Sequence, residues 1–457
     1  MRFRLTCELP RESSDEAAAE QRIYYYDNTT GLLHDGDGHA IGAPRPDLFD
    51  YVPAFKADQA NVPIRKHNAP SVLKIQMGLS CNYSCSYCLQ KHVPRADEIS
   101  ASRVAGILSK ISTHIQGSPT NIQLWGGEPL VYIKTLKPLV AGLKGLFPSA
   151  RFSIITNGSL LNREINDWII DNDIGVSLSH DGPGQKFRGP DPFSDADKTT
   201  AILDLYWRKK QAGDPVTVGA MIHAENGDRA EVALWLSEKF GDPDISIGEG
   251  AIIEVYDKDA TEMSPKTRAQ HLELRNVSLR NIRQRKDRAF HVARTRMGEW
   301  LDTMQRGRML DSLGMKCGMD LPDTLTVDLM GNVITCQNTS IASHAPNGHP
   351  HKGGTIDDLD AVEIKTSVHF LNRDHCQGCP VVQACKGGCM YLTGDLFYAS
   401  CNNTFTDHIP YFAAAVEALT GYTPIYIEDE AGRLPEVRRD IFGRRHTVRS
   451  AGNAGIG

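Results

Sequence analysis

From residue 71 onward the chain alternates between two rhythms. Short runs with every second position apolar are separated by longer stretches whose apolar residues recur every three or four positions. Val72–Met77, Asn121–Leu124, Arg151–Thr156, Gly175–Ser179 and Val216–His223 read as strands. Ala101–Gln116, Ile133–Leu146, Asn162–Asp171, Ala196–Gln211 and Arg229–Phe240 read as helices. Strands alternating with helices in this way predict βα units around a parallel sheet. Some six units of about 30 residues predict an α/β fold, a partial (β/α)6 barrel of parallel strands over residues 69–264, short of a complete eight-unit barrel.

The flanks carry other patterns. In residues 1–68 the aromatic run Arg22–Tyr26, the turn-rich Asp27–Gly31 and a Gly/Asp/Asn stretch through Gly42 predict a β-hairpin-rich extension. Residues 265–310, rich in Arg, Leu and Gln, predict one or two bridging helices. Residues 311–405 are loop-rich, with many Cys, Gly and Asp. Residues 406–457 predict a helix near His408–Leu419 and then an Arg/Gly-rich tail.

A length of 457 residues with 40% hydrophobic and 23% charged positions fits a globular protein with ample core. A net charge of −6 argues against broad nucleic-acid binding. No apolar stretch approaches the roughly 20 residues of a membrane span, and the N-terminus lacks the apolar segment of a secretory signal. A cytoplasmic location is therefore expected, where cysteines serve more often as ligands or catalysts than in disulfides.

That expectation gives weight to the cysteines. Ten of the eleven fall into two sets. Cys81, Cys85 and Cys88 form C-x3-C-x2-C directly after a predicted strand. Cys317, Cys336, Cys376, Cys379, Cys385, Cys389 and Cys401 form a second array, with Gly331 five residues before Cys336. Thiolates at such spacing converge on a metal or an iron–sulfur centre. Read alone, the first loop also suits a zinc knuckle and the second a treble-clef-like zinc domain. Gly126-Gly127-Glu128-Pro129 follows the next strand; by itself it reads as a turn, with Glu128 a possible acceptor for an ammonium group and the glycines allowing close backbone approach. Thr156-Asn157-Gly158, at a predicted strand end, reads by itself as a plain turn. Cys7 reads as an ordinary thiol. His344, His349 and His351 read as solvated loop residues, and the tail arginines, Arg438 among them, as a solvated tail.

Cys81-x3-Cys85-x-Tyr87-Cys88 and Gly126–Pro129 together resemble the radical S-adenosylmethionine (SAM) superfamily over roughly residues 71–250. The resemblance implies that Cys81, Cys85 and Cys88 hold a [4Fe–4S] cluster whose free iron is chelated by SAM. It implies that Tyr87 lies by the adenine and that Gly126, Gly127, Glu128 and Pro129 receive the SAM amino group. Asn157 would face the ribose; Ser179 and Arg188 would contact SAM, Arg188 through its carboxylate.

The second array resembles the SPASM domain of radical SAM peptide and protein maturases over residues 311–405. Two auxiliary [4Fe–4S] clusters are implied: an outer one on Cys376, Cys379, Cys385 and Cys401, and an inner one on Cys317, Cys336 and Cys389. Asp311 stands where some relatives have a fourth inner cysteine. Asp311, another oxygen or nitrogen ligand, or an iron open to substrate would complete that site. The implied activity is reductive SAM cleavage and oxidation of side chains of a ribosomal precursor peptide or target protein, forming a C–C or thioether crosslink, with flavodoxin or ferredoxin as donor. A formylglycine-generating oxidase is the alternative. Such enzymes carry an acid after the second SPASM cysteine; here Gln337 stands there, leaving Asp320 and Asp328 as candidate bases. An iron–sulfur electron carrier would have no use for Glu128, Ser179 and Arg188. Residues 1–68 are too short and hairpin-like for a whole winged-helix leader module.

Overall fold

The computed structural model describes residues 1–10, 20–52, 64–95, 101–250, 263–364 and 369–444. The chain opens with β1 (Arg2–Glu8), β2 (Gln21–Asp27) and the two-residue strands β3 (Leu33–His34) and β4 (Ile64–Arg65). The alternation then runs β5 (Val72–Gln76), α1 (Val104–His114), β6 (Asn121–Trp125), α2 (Ile133–Leu146), β7 (Arg151–Thr156) and α3 (Arg163–Asp171). It continues through β8 (Ile174–Ser179), α4 (Ala196–Gln211), β9 (Thr217–Met221), α5 (Arg229–Phe240) and β10 (Ile247–Gly250). These six strands pair in parallel, each with the next in sequence, as the partial barrel requires. The sixth had no visible pattern because Gly248 and Gly250 hide its alternation.

Side chains alternate across each strand. Leu73, Ile75, Ile122, Leu124, Phe152, Ile154, Val176 and Val218 join Leu136, Leu139, Val140 and Leu143 of α2 in one core. The opposite positions are Lys74, Gln123, Ser153, Ile155, Ser177 and Ser179, all less buried. A parallel sheet covered on both faces would read as continuous apolar runs. Alternation here marks one open face. Asn162, Asp195 and Asp228 accept hydrogen bonds from the first-turn N–H groups of α3, α4 and α5. They fix where each helix begins and hence how long each strand-end loop is.

After α6 (Arg268–Arg283) and α7 (His291–Arg306) comes a departure from the sequence reading. β11 (Thr324–Asp328) returns to the barrel sheet and pairs in parallel with β5. β12 (Asn332–Ile334) and β13 (Lys352–Thr355) extend that sheet to nine strands. The cysteine-rich segment therefore starts as an edge of the barrel rather than as a separate loop-rich unit. Its hairpin signal, Thr324–Asp328 followed by Gly331, was masked by the surrounding composition. β14 (Glu363–Ile364) pairs with β4, and α8 (Asp374–Gln377) and α9 (Val382–Cys385) are single turns.

α10 (Gly394–Thr420) is 27 residues long and includes Cys401, far more than the helix expected at His408–Leu419. Asn402, Asn403, Thr404 and Pro410 are weak helix formers. Burial of Phe405, Ile409, Phe412 and Ala413 overrides them. The described part of the tail is folded as well. β15 (Thr423–Asp429) pairs antiparallel with β1, so the first and last described segments share a sheet in the order β15-β1-β2-β3. α11 (Glu436–Arg439) follows it. Among the described residues, no helix is long and apolar enough to cross a membrane.

Candidate functional site

The loops at the carboxyl ends of β5 to β8 enclose a cavity of about 340 Å³, where open α/β sheets hold their ligands. Cys81, Cys85, Cys88, Tyr87, Gly126, Gly127, Glu128, Asn157, Ser179 and Arg188 all line it. Pro129 does not: it is buried behind, as the first residue of a short 3-10 helix capped by Glu128. Burial pushes the Cys85 thiol up to about 12. A thiolate there needs a compensating cation, which a metal centre supplies. The donor set and the cavity thus fit a cluster with one face open to a ligand.

The roles expected of the Gly126–Pro129 segment need correction. A Cβ on Gly126 would lie 2.6 Å from the Gly78 carbonyl oxygen, and one on Gly127 would lie 2.5 Å from that of Ser80. The glycines let the β6 loop lie against the cysteine loop. Gly127 N and Glu128 N donate to Gly78 O and Ser80 O. The Glu128 carboxylate is nearly inaccessible, with three acceptor positions taken: Oε1 accepts from Leu130 N (3.0 Å) and Thr156 Oγ1 (2.8 Å), and Oε2 from Asn157 N (2.7 Å). Burial raises its pKa while these bonds pull the other way. Glu128 braces two strand-end loops rather than presenting a free acceptor. Asn157 continues the brace, donating through Nδ2 to Asn82 Oδ1 (2.9 Å) in the cysteine loop.

Sequence reasoning gave Asp181 no role, yet it organises one wall. Its carboxylate is fully buried. Oδ1 accepts from Arg188 Nη2 (2.8 Å) and Met221 N (2.9 Å), and Oδ2 accepts from the Tyr87 hydroxyl. Burial works against the charge of Arg188, but Asp181 holds its pKa above the usual value. Arg188 is therefore already paired; its Nε is buried without a protein partner and remains for a ligand. The clue was an acidic residue directly after a strand in Ser179-His180-Asp181-Gly182.

A second cavity, of about 210 Å³, is lined by Cys317, Cys336 and Cys389 with Lys316, Gln337, Asn338 and Tyr391. Leu89 lines it too, one residue after Cys88 of the first cavity, so the two share a wall. Cys376, Cys379, Cys385 and Cys401 form a separate group, close enough that negative charge on one opposes it on the others. Burial pushes Cys379 up to about 12 and Cys385 up to about 11. The fold thus sorts the seven cysteines into three and four. All eleven cysteines are free thiols, and Cys7 is buried in the core.

Asp311 is not among the described residues lining the inner cavity; it lies in a short 3-10 helix, with Oδ1 buried and lacking a partner. Asp328 is not placed as a base either. It ties the β11–β12 turn, accepting from Met330 N (2.8 Å), Asn332 N (2.9 Å) and Asn332 Nδ2 (2.8 Å). Asp320 accepts from Met315 N (3.2 Å) and keeps a buried unpartnered Oδ1. Gln337 receives Lys74 Nζ, reaching across from the first barrel strand. His351 is fully buried against Tyr391, not solvated, and Arg438 is buried beside the four-cysteine group.

Known proteins match this chain over the barrel. The radical SAM superfamily profile matches residues 75–229. The curated radical SAM cyclopropyl synthase TigE of Paramaledivibacter caminithermalis (strain DSM 15212 / CIP 107654 / DViRD3) is 26% identical over 155 residues, covering 30% of this chain and 33% of that protein. The chain thus spans about a third of the length of that relative. Native anSMEcpe with bound AdoMet superposes with a TM-score of 0.55 at 17% identity, over 76% of this chain and 98% of that one. Native anSMEcpe with bound AdoMet and Kp18Cys peptide gives 0.54 at 16% identity, over 76% and 99%; at these identities the likeness is one of fold. The profile match thus places a radical SAM domain on residues 75–229, the stretch that includes the first cysteine loop.

Proposed function

We propose that this enzyme is a peptide or protein maturase that oxidises substrate side chains and closes an intramolecular C–C or thioether crosslink. The observation that carries the reading is the shared wall at Cys88–Leu89, which sets the three-cysteine inner cavity directly beside the SAM-type cavity. A simple isomerase has no need of a second thiolate site there. Cys81, Cys85 and Cys88 would hold the first [4Fe–4S] cluster, Cys317, Cys336 and Cys389 the inner one, and Cys376, Cys379, Cys385 and Cys401 the outer one. When bound, the first cluster and SAM supply a 5′-deoxyadenosyl radical that removes a hydrogen atom from substrate, and the other clusters accept an electron.

The chain's own residues orient and enclose. Asp181 fixes Tyr87 and Arg188 on one wall, and Glu128 and Asn157 lock the neighbouring loops, so the cavity keeps its shape. Ser179 and Arg188 offer polar contacts to the cosubstrate. A formylglycine-type oxidation is less well supported, because Gln337 is held by Lys74 and Asp328 by its turn. The test is incubation of candidate precursor peptides, encoded beside the gene, with anaerobically reconstituted enzyme, SAM and a low-potential reductant such as flavodoxin or ferredoxin. A mass loss of about two hydrogens per crosslink supports the reading. Conversion of Ser or Cys to an aldehyde would replace it, and SAM cleavage without any change in every such peptide would overturn it.

A further inference from the structure

Four cysteines in one place, three of them buried, raise the question of what balances their charge. We propose that Arg438 and Arg373 are the counter-charges of the four-cysteine group, positioning residues that set the reduction potential of the centre held there. The inference rests on reading Cys376, Cys379, Cys385 and Cys401 as an iron–sulfur ligand set.

Arg438 comes from α11, beyond the last strand, yet is only 3% exposed. Its Nη2 donates to Asn402 Oδ1 (2.7 Å), next to Cys401, and its guanidinium lies 5.0 Å from the Phe405 ring centroid. It sits beside the Cys401, Cys379 and Cys385 thiols, and Nη1 is buried without a protein hydrogen-bond partner. Arg373 comes from a different element, as the residue just before α8. It is 7% exposed, stacks 4.1 Å from the Phe397 centroid and faces Cys376, Cys389, Cys401 and Cys385. Its Nη2 donates to Leu392 O at 2.9 Å. Arg373 thus bonds only carbonyl oxygens, and Arg438 bonds the Asn402 amide and the Cys401 thiol, with no carboxylate on either.

A buried cation held only by neutral acceptors is costly unless an anion faces it. Thiolate ligands are that anion. Adding one electron to the centre increases its negative charge by one, so two fixed cations favour the reduced form. The same placement explains why the chain runs on past α10: pairing of β15 with β1 delivers α11, and with it Arg438, to the cysteines.

The experiment uses the full-length reconstituted enzyme with Arg438→Gln, Arg438→Lys and Arg373→Gln, measuring iron content and the EPR-monitored midpoint of the outer centre. Arg438→Gln should keep its iron and lower the reduced-to-oxidised ratio at a fixed potential at least tenfold, about 59 mV for one electron. Arg438→Lys should recover most of that shift. Full iron with an unchanged midpoint in Arg438→Gln overturns the inference, as does equal loss of iron in the Gln and Lys variants, which would mark a packing role. Should Arg438→Gln fail to fold, Arg373→Gln decides alone, since it lies on a different element; an unchanged midpoint there is refuting. Cys379→Ala separates the two readings. If it loses no iron, the ligand assignment is what fails.

Discussion

Replacing Asp181 by Asn tests the wall of the first cavity with almost no change in volume. The wild-type carboxylate is fully buried and takes three donors, one of them the Arg188 guanidinium, whose side chain is 13% exposed. Removing one partner of a buried ion pair costs about 3–5 kcal/mol, mostly because the remaining charge is stranded. Arg188 borders a cavity that water can enter, so the lower end, about 3 kcal/mol, is expected. Tyr87 and Arg188 would also lose their anchor, and one charge-assisted contact to a ligand is worth about 1.5–3 kcal/mol, or roughly 10- to 150-fold in affinity. Anaerobic denaturant melts and equilibrium SAM binding on the reconstituted protein measure both effects. Tyr87→Phe, which removes only the hydroxyl donor, should cost about 1 kcal/mol and less than tenfold in affinity. If Asp181→Asn keeps wild-type stability and SAM affinity, the carboxylate does not organise this wall.

Glu128→Gln should lower stability by about 1–3 kcal/mol, because one carboxylate oxygen becomes an NH2 that faces the N–H of either Leu130 or Asn157, whichever way the amide turns; an unchanged melt would show that the brace is not formed. Asp328→Asn should weaken the fold through its turn without altering the pH profile of product formation, whereas Asp320→Asn alters that profile only if Asp320 serves as a base. Burial, helped by Arg275 and Arg438, depresses His271 to about 4. Its neutral form therefore adds stability that is full above the unfolded value near 6.5 and is lost as pH falls toward 4. Between the two values the unfolded chain binds about one proton more, a slope of about 1.4 kcal/mol per pH unit, and partial solvent access narrows the window over which it acts. His271→Gln should flatten the stability slope between about pH 6.5 and 5.5; an equally steep slope would assign it to other groups.

The barrel was legible in the chain because its determinants are local. Period-two strands and period-three-to-four helices name their own faces, and side-chain caps such as Asn162 and Asp195 mark helix starts. Ile133–Leu146, Ala196–Gln211 and Arg229–Phe240 fold over the spans their patterns predict. The first cysteine loop stood out too, since spacing is a property of contiguous sequence, and the structure lines one cavity with its three thiols. What the tertiary structure alone decided depends on partners distant along the chain. β11 joins the barrel because β5 offers a free edge some 250 residues earlier. α10 overrides Asn402, Asn403 and Pro410 because a buried apolar face outweighs weak propensity. The resemblance implied ligand contacts for Glu128 and Arg188, but Leu130, Thr156 and Asn157 take up the Glu128 carboxylate and Asp181 takes one arm of Arg188, leaving Nε unpartnered; a side chain's chemistry is written in the sequence, while which of its donors and acceptors stay free is settled only by what packs against it.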